Sequence, residues 1–383
     1  LHRMIKDNHC GRIENAFTRR ELLQRAGGGI GMLALNSLLT GEGEANTNIG
    51  PNPMASRYPH GFGNAKRVIW LFINGGPSHV DTWDYKPGLE KANGKKLEGF
   101  DNTTGFFDKA VGPLLKSPFE FKQYGNSGMW ASSIFPHLSQ HVDKMAFIKS
   151  FHTKSNNHSP ALFMANTGVP RMSNPCVGSW VTYGLGTENQ NLPAFVVMSD
   201  PLNRGLPKGH AANWGSGFLP GAFQGTWVRS KGEPIPNLKR IAGLSDQQQR
   251  AQLDFLGKLN AAHEKRYPAE TELTARIKSF ELAYRMQQEA PECFEIDNEP
   301  EHIKSLYGIG EKRCAHFARQ CLMARRMVER GVRFVQIYSG GMENARSWDG
   351  HGDIKKNHTQ FAGETDQPIA GLLADLEQRG MLD

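Results

Sequence analysis

The stretch Lys66 to Pro87, with the sequence KRVIWLFINGGPSHVDTWDYKP, decides the expected fold of this chain. Its continuous apolar run, Val68 to Ile73, predicts a strand buried on both faces, as in the middle of a parallel sheet. The run ends at Asn74-Gly75-Gly76-Pro77, which cannot continue a strand and lets the backbone approach a ligand. Polar side chains follow at Ser78, His79, Asp81, Asp84 and Lys86. Since ligands of open α/β sheets bind beyond the carboxyl ends of the strands, this loop is either half of an active site or an ordinary polar loop.

The composition of the 383-residue chain indicates a soluble protein with many loops, because it contains 42 Gly and 21 Pro. Its mean hydropathy is −0.51. The formal net charge is +7, but acidic and basic residues alternate along the chain. No basic block interleaved with aromatic residues is present, so the sequence does not predict nucleic-acid binding. The five cysteines have neither the spacing of a zinc finger nor that of a disulfide framework.

Residues 1–45 are typical of an export signal. Thr18-Arg19-Arg20-Glu21 resembles the twin-arginine motif, and the apolar segment Gly28 to Leu39 is shorter than the roughly 20 residues that span a bilayer. We therefore expect no transmembrane span, recognition by the twin-arginine export machinery, and a periplasmic or extracellular location. The alternative is an ordinary amphipathic helix with an arginine pair, in a cytoplasmic α/β enzyme. Residues 46–65 are then a linker, and 66–383 form the folded domain.

The rest of the chain predicts strands alternating with helices, which is the pattern of an α/β fold with a mostly parallel sheet flanked by helices. A helical and loop-rich insertion is expected at about residues 200–300, with a capping box at Ser245 and Gln248 and inward-facing Leu253, Leu256 and Leu259. The predicted helices are Ala131–Asp143, Lys312–Arg330 and Pro368–Asp383, and the further predicted strands are Met145–Ser150, Leu192–Ser199 and Val332–Tyr338.

The segment Asn157-His158-Ser159-Pro160 predicts the start of a helix, since proline suits a first helical turn. His158 and Ser159 then lie beside free amides and the positive end of the helix dipole. That position favours a nucleophile that attacks a phosphate or sulfate ester. Ser159 taken alone is better explained as the N-cap, whereas His158 is the stronger functional candidate.

A second polar cluster follows the strand predicted at residues 332–338. Asp349 and His351 lie in one loop, with His358 close behind. A carboxylate and two imidazoles are natural ligands of a divalent metal, zinc first and calcium or manganese as alternatives. The competing interpretation is a set of solvated loop residues. Their position after a buried strand favours the metal.

Three motifs, GGPSHVDTWDYKP (75–87), NHSPALFMANTG (157–168) and WDGHGD with a following NH (348–358), resemble the bacterial family called domain of unknown function 1501. That family is grouped with the alkaline-phosphatase-like superfamily of sulfatases and phosphomutases. The resemblance implies a doubly wound α/β sheet, one or two divalent metals, and a nucleophile at a helix N-terminus. It also implies a last strand and a histidine-bearing loop beyond Asp383, so we expect the chain to be truncated there.

Carried over residue by residue, the resemblance makes Asp81, Asp349, His351 and His358 the expected metal ligands. His158 occupies the place near the superfamily's nucleophile, with Ser159 beside it. Asn74 stands where many members of the superfamily have Asp.

The function expected from these residues is an exported, metal-dependent hydrolase of phosphate or sulfate esters. Ser78, His79 and Lys86 are expected to bind a small anionic ester. The alternative is an exported binding or scaffold protein that keeps the fold without the chemistry, which Asn74 and His158 would explain.

Overall fold

A computed structural model of the chain describes residues 54–57, 64–96, 99, 112–155, 157–236, 238, 240, 243–266 and 271–382. The predicted export signal, and the linker apart from residues 54–57 and 64–65, lie outside the described residues. Within the part that is described, no helix is long and apolar enough to cross a membrane.

The centre of the fold is a four-stranded sheet in which every strand pairing is parallel. Two further strands, β2 (Phe121–Tyr124) and β3 (Met129–Ser132), form a separate antiparallel pair. The strand order of the main sheet is β1-β6-β4-β5. Its strands are β1 (Val68–Ile73), β4 (Phe195–Met198), β5 (Thr226–Trp227) and β6 (Phe334–Ser339). The prediction of an α/β fold with a mostly parallel sheet is confirmed.

Helices cover both faces of this sheet. The helices of the described residues are α1 (Pro87–Ala92), α2 (His158–Thr167), α3 (Val177–Leu185), α4 (Asp246–Arg266), α5 (Thr271–Phe294), α6 (Glu301–Tyr307), α7 (Ala315–Glu329) and α8 (Ile354–Gln378). Helices α7 and α8 share the larger apolar core with β4 and β6, and α3 packs on the opposite face. The face of α7 predicted to be buried is buried, including Phe317 and Cys321.

The strand β1 has the predicted bounds but not the predicted place. It pairs with β6 alone among the described strands, so it lies at the edge of the sheet and all its residues are half-buried. The apolar run is continuous because both faces are covered: Ile69 and Leu71 pack on the α7 side, and Trp70 and Phe72 on the α3 side. An apolar pattern indicates that both faces of a strand are covered, but it does not indicate whether both of its edges are paired with other strands.

Two predictions between residues 131 and 150 are wrong. Instead of one helix, the chain forms β3 and then a 3₁₀ helix at Leu138–Lys144. No strand forms at Met145–Ser150, where Ile148 is 73% exposed. The apolar residues of this segment that are half-buried make separate contacts: Met145 packs on the cluster around Phe135, and the ring of Phe147 packs on Trp83 at 5.3 Å between centroids.

The predicted insertion contains the helices α4 and α5. The capping box before α4 forms as expected, because Ser245 N–H donates to Gln248 Oε1 at 2.9 Å and Gln248 N–H donates to Ser245 Oγ at 3.2 Å. The inward direction predicted for Leu256 and Leu259 is wrong, since they are 46% and 52% exposed. The last helix also starts earlier than predicted, at Ile354, with Pro368 inside it.

Candidate functional site

The candidate site lies where β1 and β6 end. These strands are neighbours and parallel, with Ile73 opposite Ser339, so the loops that follow them leave the same edge of the sheet. Backbone hydrogen bonds join the two loops: Asn74 N–H donates to the Ser339 carbonyl at 3.0 Å, and Trp348 N–H donates to the Asn74 carbonyl at 2.9 Å. The backbones of the two loops that carry the polar clusters therefore meet at the carboxyl edge of the sheet, where ligands of parallel sheets bind.

The close approach of these loops depends on Gly75. Its φ of +111° is a conformation that side-chain-bearing residues rarely adopt. A Cβ atom there would lie 2.6 Å from the backbone nitrogens of Trp348 and Asp349. A glycine at this position is therefore what lets the loop after β1 lie directly against the loop that carries the metal-ligand candidates.

Helix α2 brings in the third segment. Its N-cap is Asn157, whose Oδ1 accepts a hydrogen bond from Ser159 N–H at 3.3 Å, so the prediction of Ser159 as the N-cap is wrong. The helix begins at His158, and Pro160 lies in its first turn as predicted. Because Asn157 takes the Ser159 amide and Pro160 has no N–H, this helix start offers fewer free amides to an anion than the sequence suggested.

Three of the predicted site residues form one cluster: the metal-ligand candidates Asp349 and His351, and the catalytic candidate His158. His158 Nε2 lies 3.1 Å from Asp349 Oδ2, and His351 Nε2 lies 2.7 Å from Asp349 Oδ1. One ligand atom from each residue lies within 4.8 Å of the other two. The Asp349 side chain is 6% exposed, and Asn344 N–H donates to its Oδ2 at 2.9 Å. The carboxylate is thus held rigidly between two imidazoles.

His358 and Asp81 lie in a different group. His358 Nε2 accepts a hydrogen bond from Ser78 N–H at 2.9 Å, and its Nδ1 lies 3.1 Å from Asn357 Oδ1. Ser78 Oγ donates to Asp81 Oδ2 at 2.5 Å. Burial lowers the pKa of His358, against the opposing effect of Asp81, so its imidazole is neutral at neutral pH. The structure therefore does not bring these two predicted ligands into the cluster, and places them beneath the loop after β1.

The other predicted substrate contacts also lie away from the cluster. His79 is exposed in a short 3₁₀ helix, where its carbonyl accepts the N–H groups of Thr82, Trp83 and Asp84. Lys86 pairs with Asp84 at 2.8 Å and is half exposed. Ser78 is tied to Asp81 and His358, and Ser159 is half-buried in α2. None of these four residues lines the cleft beside the cluster in the described part of the chain.

That cleft has a volume of about 810 Å³. It is open to solvent and lies between the β1 end, the start of α2 and the loop after β6. Its lining includes Asn74, Gly75 and Gly76, then Asn157, His158, Ala161 and Leu162, and Glu343, Asn344, Asp349 and His351.

The sequence interpretation missed Glu343 as a lining residue and missed the buried ion network below the cleft. Arg204 donates to Asp200 Oδ2 at 2.7 Å and to Glu364 Oε2 at 2.6 Å. Asp200 Oδ2 also accepts the Gly340 N–H at 3.1 Å, so the network fixes the start of the loop after β6. Asp200 and Arg204, four residues apart directly after a predicted strand, were the available signal.

The donor set of the cluster suits a divalent metal. Two imidazole nitrogens and one carboxylate oxygen form the kind of protein ligand set that catalytic zinc uses, with further positions left for water or substrate. Calcium prefers more oxygen ligands, so the residues present fit zinc or a similar transition metal better.

The fold and the site define an α/β protein with a parallel sheet and a cluster of two histidines and one aspartate at the carboxyl edge of two adjacent strands. Residues 65–383 match the family described as protein of unknown function DUF1501, and the chain belongs to that family. The family expected from the three motifs is therefore confirmed. No curated protein and no solved structure matches the chain significantly.

Proposed function

We propose that this protein is an exported, metal-dependent hydrolase of phosphate or sulfate esters, with the alkaline-phosphatase-like arrangement of sheet and site. The observation that carries the proposal is the meeting of His158, Asp349 and His351 in a cleft, from segments far apart in the chain. A metal site open to a substrate-sized cleft supports chemistry better than it supports a purely structural ion.

His158, Asp349 and His351 would hold the metal, with zinc as the first choice and manganese or calcium as alternatives. A bound divalent ion would neutralise the charge that develops on the oxygens of the ester. Asp349 fixes the two imidazoles, because each of its carboxylate oxygens lies close to one of them.

The two predicted catalytic residues and His351 differ in how far they are exposed to the cleft. His158 lines the cleft and Ser159 does not, which favours the imidazole as a metal ligand over the hydroxyl as a group that contacts the ester. The histidine is 30% exposed, so its Nε2 is accessible to an ion that enters the cleft. His351 is 59% exposed and is the most solvent-accessible side chain of the three.

The charge of the lining explains why the proposed reaction needs a metal. Glu343 and Asp349 are both acidic and both line the cleft, so an ester anion would be repelled by the protein alone. A bound divalent cation would cancel the charge of these two carboxylates.

The proposal is tested by elemental analysis of the purified chain, followed by hydrolysis of aryl phosphate and aryl sulfate esters. We expect about one zinc per chain and metal-dependent turnover, and loss of both in the double variant Asp349→Asn, His351→Asn. The matched control is Asp297→Asn, His302→Asn, which alters an exposed acid and an exposed histidine outside the cleft. Full metal content in the first double variant would refute the assignment.

The proposed export is tested separately, because residues 1–45 lie outside the described residues. Changing Arg19 and Arg20 to lysine should keep the protein in the cytoplasmic fraction, whereas the unaltered chain should appear in the periplasm or medium. An unchanged distribution would favour the cytoplasmic alternative.

A second candidate function is an exported binding protein without catalysis. Asn74 favours it, because its Nδ2 donates to the carbonyls of Gly341 and Met342 and so serves the loop structure where the superfamily has an acidic ligand. Stoichiometric metal without hydrolysis of either ester class would select this candidate.

A further inference from the structure

The lining of the cleft contains no lysine or arginine among the residues that the structure describes. It does contain the carboxylates of Glu343 and Asp349. If the cleft takes an anionic ester, the cation that the ester meets at the lining would be the metal ion held by the cluster. Sites for phosphate and sulfate groups normally add charged hydrogen-bond donors from the protein. A lysine or arginine at the margin of the cleft could supply such a donor.

Such a cation is present next to Glu343. Lys208 Nζ lies 2.6 Å from Glu343 Oε2, and the two side chains are 35% and 25% exposed. The hydrogen bond from Lys208 holds the pKa of Glu343 below its usual range, with His158 and Arg346 adding to the effect against desolvation. Glu343 is therefore ionised at neutral pH, and Lys208 is the cation that balances it.

The backbone around Lys208 is fixed relative to the site. The Lys208 carbonyl accepts a hydrogen bond from Asn213 Nδ2 at 2.7 Å. The next residue, Gly209, has φ +88° and lies so close to the ring of Phe163 in α2 that a Cβ atom would be 2.5 Å from it. Since α2 also carries His158, the loop that holds Lys208 is packed against the helix that holds a cluster residue.

We infer that Lys208 is the residue that recognises the anionic group of the substrate, and that Glu343 holds its ammonium at the margin of the cleft until the substrate replaces the carboxylate. This inference rests on the proposed function, because it assumes an anionic ester in the cleft. Its substrate class is accordingly narrower: an ester whose phosphate or sulfate group reaches from the metal cluster to Lys208.

The exchange is physically reasonable because the pair is partly exposed. Ion pairs of this kind contribute little net stability, so a competing anion can displace the carboxylate at small cost. Lysine suits the task, since its flexible stem lets one ammonium serve two partners in turn. The exchange replaces one ion pair by another, and no covalent bond is made or broken.

The competing explanation is a structural latch between the loops. A second contact already joins them, because Met342 N–H donates to the Arg204 carbonyl at 3.1 Å. If the ion pair is only a latch, breaking it from either side loosens the same loops, so Lys208→Gln and Glu343→Gln should both weaken anion binding. Under our inference the two substitutions have opposite effects.

The test is isothermal titration of the full chain with inorganic phosphate and with sulfate, at saturating zinc. We expect Lys208→Gln to weaken binding by about tenfold or more, as loss of a charged hydrogen bond does. Glu343→Gln should tighten binding by several-fold, because it frees Lys208. Lys208→Arg should retain most of the affinity. The control Lys304→Gln, which removes a lysine paired with Glu301 on α6, should change nothing.

The double variant Lys208→Gln, Glu343→Gln separates recognition by Lys208 from simple loss of a repelling carboxylate. We expect it to bind as weakly as Lys208→Gln alone. The inference is overturned if the double variant keeps the gain of Glu343→Gln, if Lys208→Gln binds as the unaltered chain does, or if the unaltered chain binds neither anion. Failure of the proposed function gives a different result. The elemental analysis would then show no metal, or the hydrolysis assay no turnover, while phosphate binding still depends on Lys208.

Discussion

His158 Nε2 and Asp349 Oδ2 lie 3.1 Å apart although 191 residues separate them in the chain. The contact depends on the strand order, because β1 and β6 are adjacent and their following loops meet at one edge. Helix α2 adds its first residue to that edge. The cluster is therefore a product of the tertiary fold and exists in no single segment.

Replacing Gly75 by alanine should disrupt the cluster. The new Cβ atom would clash with the backbone of Trp348 and Asp349, and the alanine would have to adopt a strained φ. We expect a loss of unfolding free energy of about 1–3 kcal/mol or more, together with loss of bound metal. Urea unfolding and elemental analysis measure the two effects.

Gly76→Ala is the matched control for that variant. Gly76 has φ +73°, but a Cβ atom there would meet nothing within 4 Å. It should cost only the backbone strain, about 1–2 kcal/mol, and should retain metal. If both variants bind metal equally, the contact between Gly75 and the Asp349 loop does not control the site.

His358→Asn tests which histidines bind the metal. We expect normal metal stoichiometry with a stability loss of about 1–3 kcal/mol, because the partly buried Ser78 N–H loses its acceptor and the ring contact with Trp348 is lost. His351→Asn should do the reverse, lowering metal affinity with little effect on unfolding, since that side chain is exposed. A metal-free but fully stable His358→Asn protein would restore His358 as a ligand.

Arg204→Met should destabilise the protein by about 3–5 kcal/mol, because it removes the arginine that pairs with both buried carboxylates, Asp200 and Glu364. Of the two, Glu364 keeps a contact with His316 at 3.3 Å. The comparison is Arg250→Met, whose pairs with Asp254 and Glu281 are partly exposed and should contribute about 0–1 kcal/mol. Urea unfolding of both variants measures the difference. Equal losses would mean that the network below the cleft has no special role in stability.

Glu299 should make stability depend on acid pH. Burial alone would raise its pKa, but the charges and hydrogen bonds of Arg325 and Arg326 outweigh burial and hold the pKa below its usual range. A carboxyl group with a lowered folded pKa stabilises the protein above its unfolded pKa, about 4.3 for Glu, and loses that contribution as pH falls through the folded value.

Urea unfolding between about pH 6 and pH 3 should therefore show a steeper loss of stability in the unaltered protein than in Glu299→Gln. Glu301→Gln, at an exposed position on α6, is the control and should follow the unaltered protein. Parallel curves for Glu299→Gln and the unaltered protein would show that the ion pairs of Glu299 do not contribute to the acid dependence.

The sequence predicted those features that depend on local pattern. The strand β1, the buried face of α7, the capping box before α4 and the polar ends of β1 and β6 all follow from periodicity and end signals. The sequence also predicted Asp349 and His351 together, because they share one loop.

Features that depend on long-range contacts were not predictable in this way. Nothing local distinguishes His158, which reaches Asp349, from His358, which instead accepts the amide of Ser78. The position of β1 at the sheet edge is set by strand order, and the exposure of Ile148 by what packs on the 145–150 segment. Contacts with residues far away in the chain determine these features.

The hydrogen bonds that Asn74 N–H donates to the Ser339 carbonyl, and that Trp348 N–H donates to the Asn74 carbonyl, have a dynamic consequence. A segment can open only when all of its bonds to neighbours break, so loops joined in this way fluctuate as one cooperative unit. The half of the site that follows β1 and the half that follows β6 should exchange their amide protons together. Opening for substrate entry or product release would then be a single collective step shared by both halves.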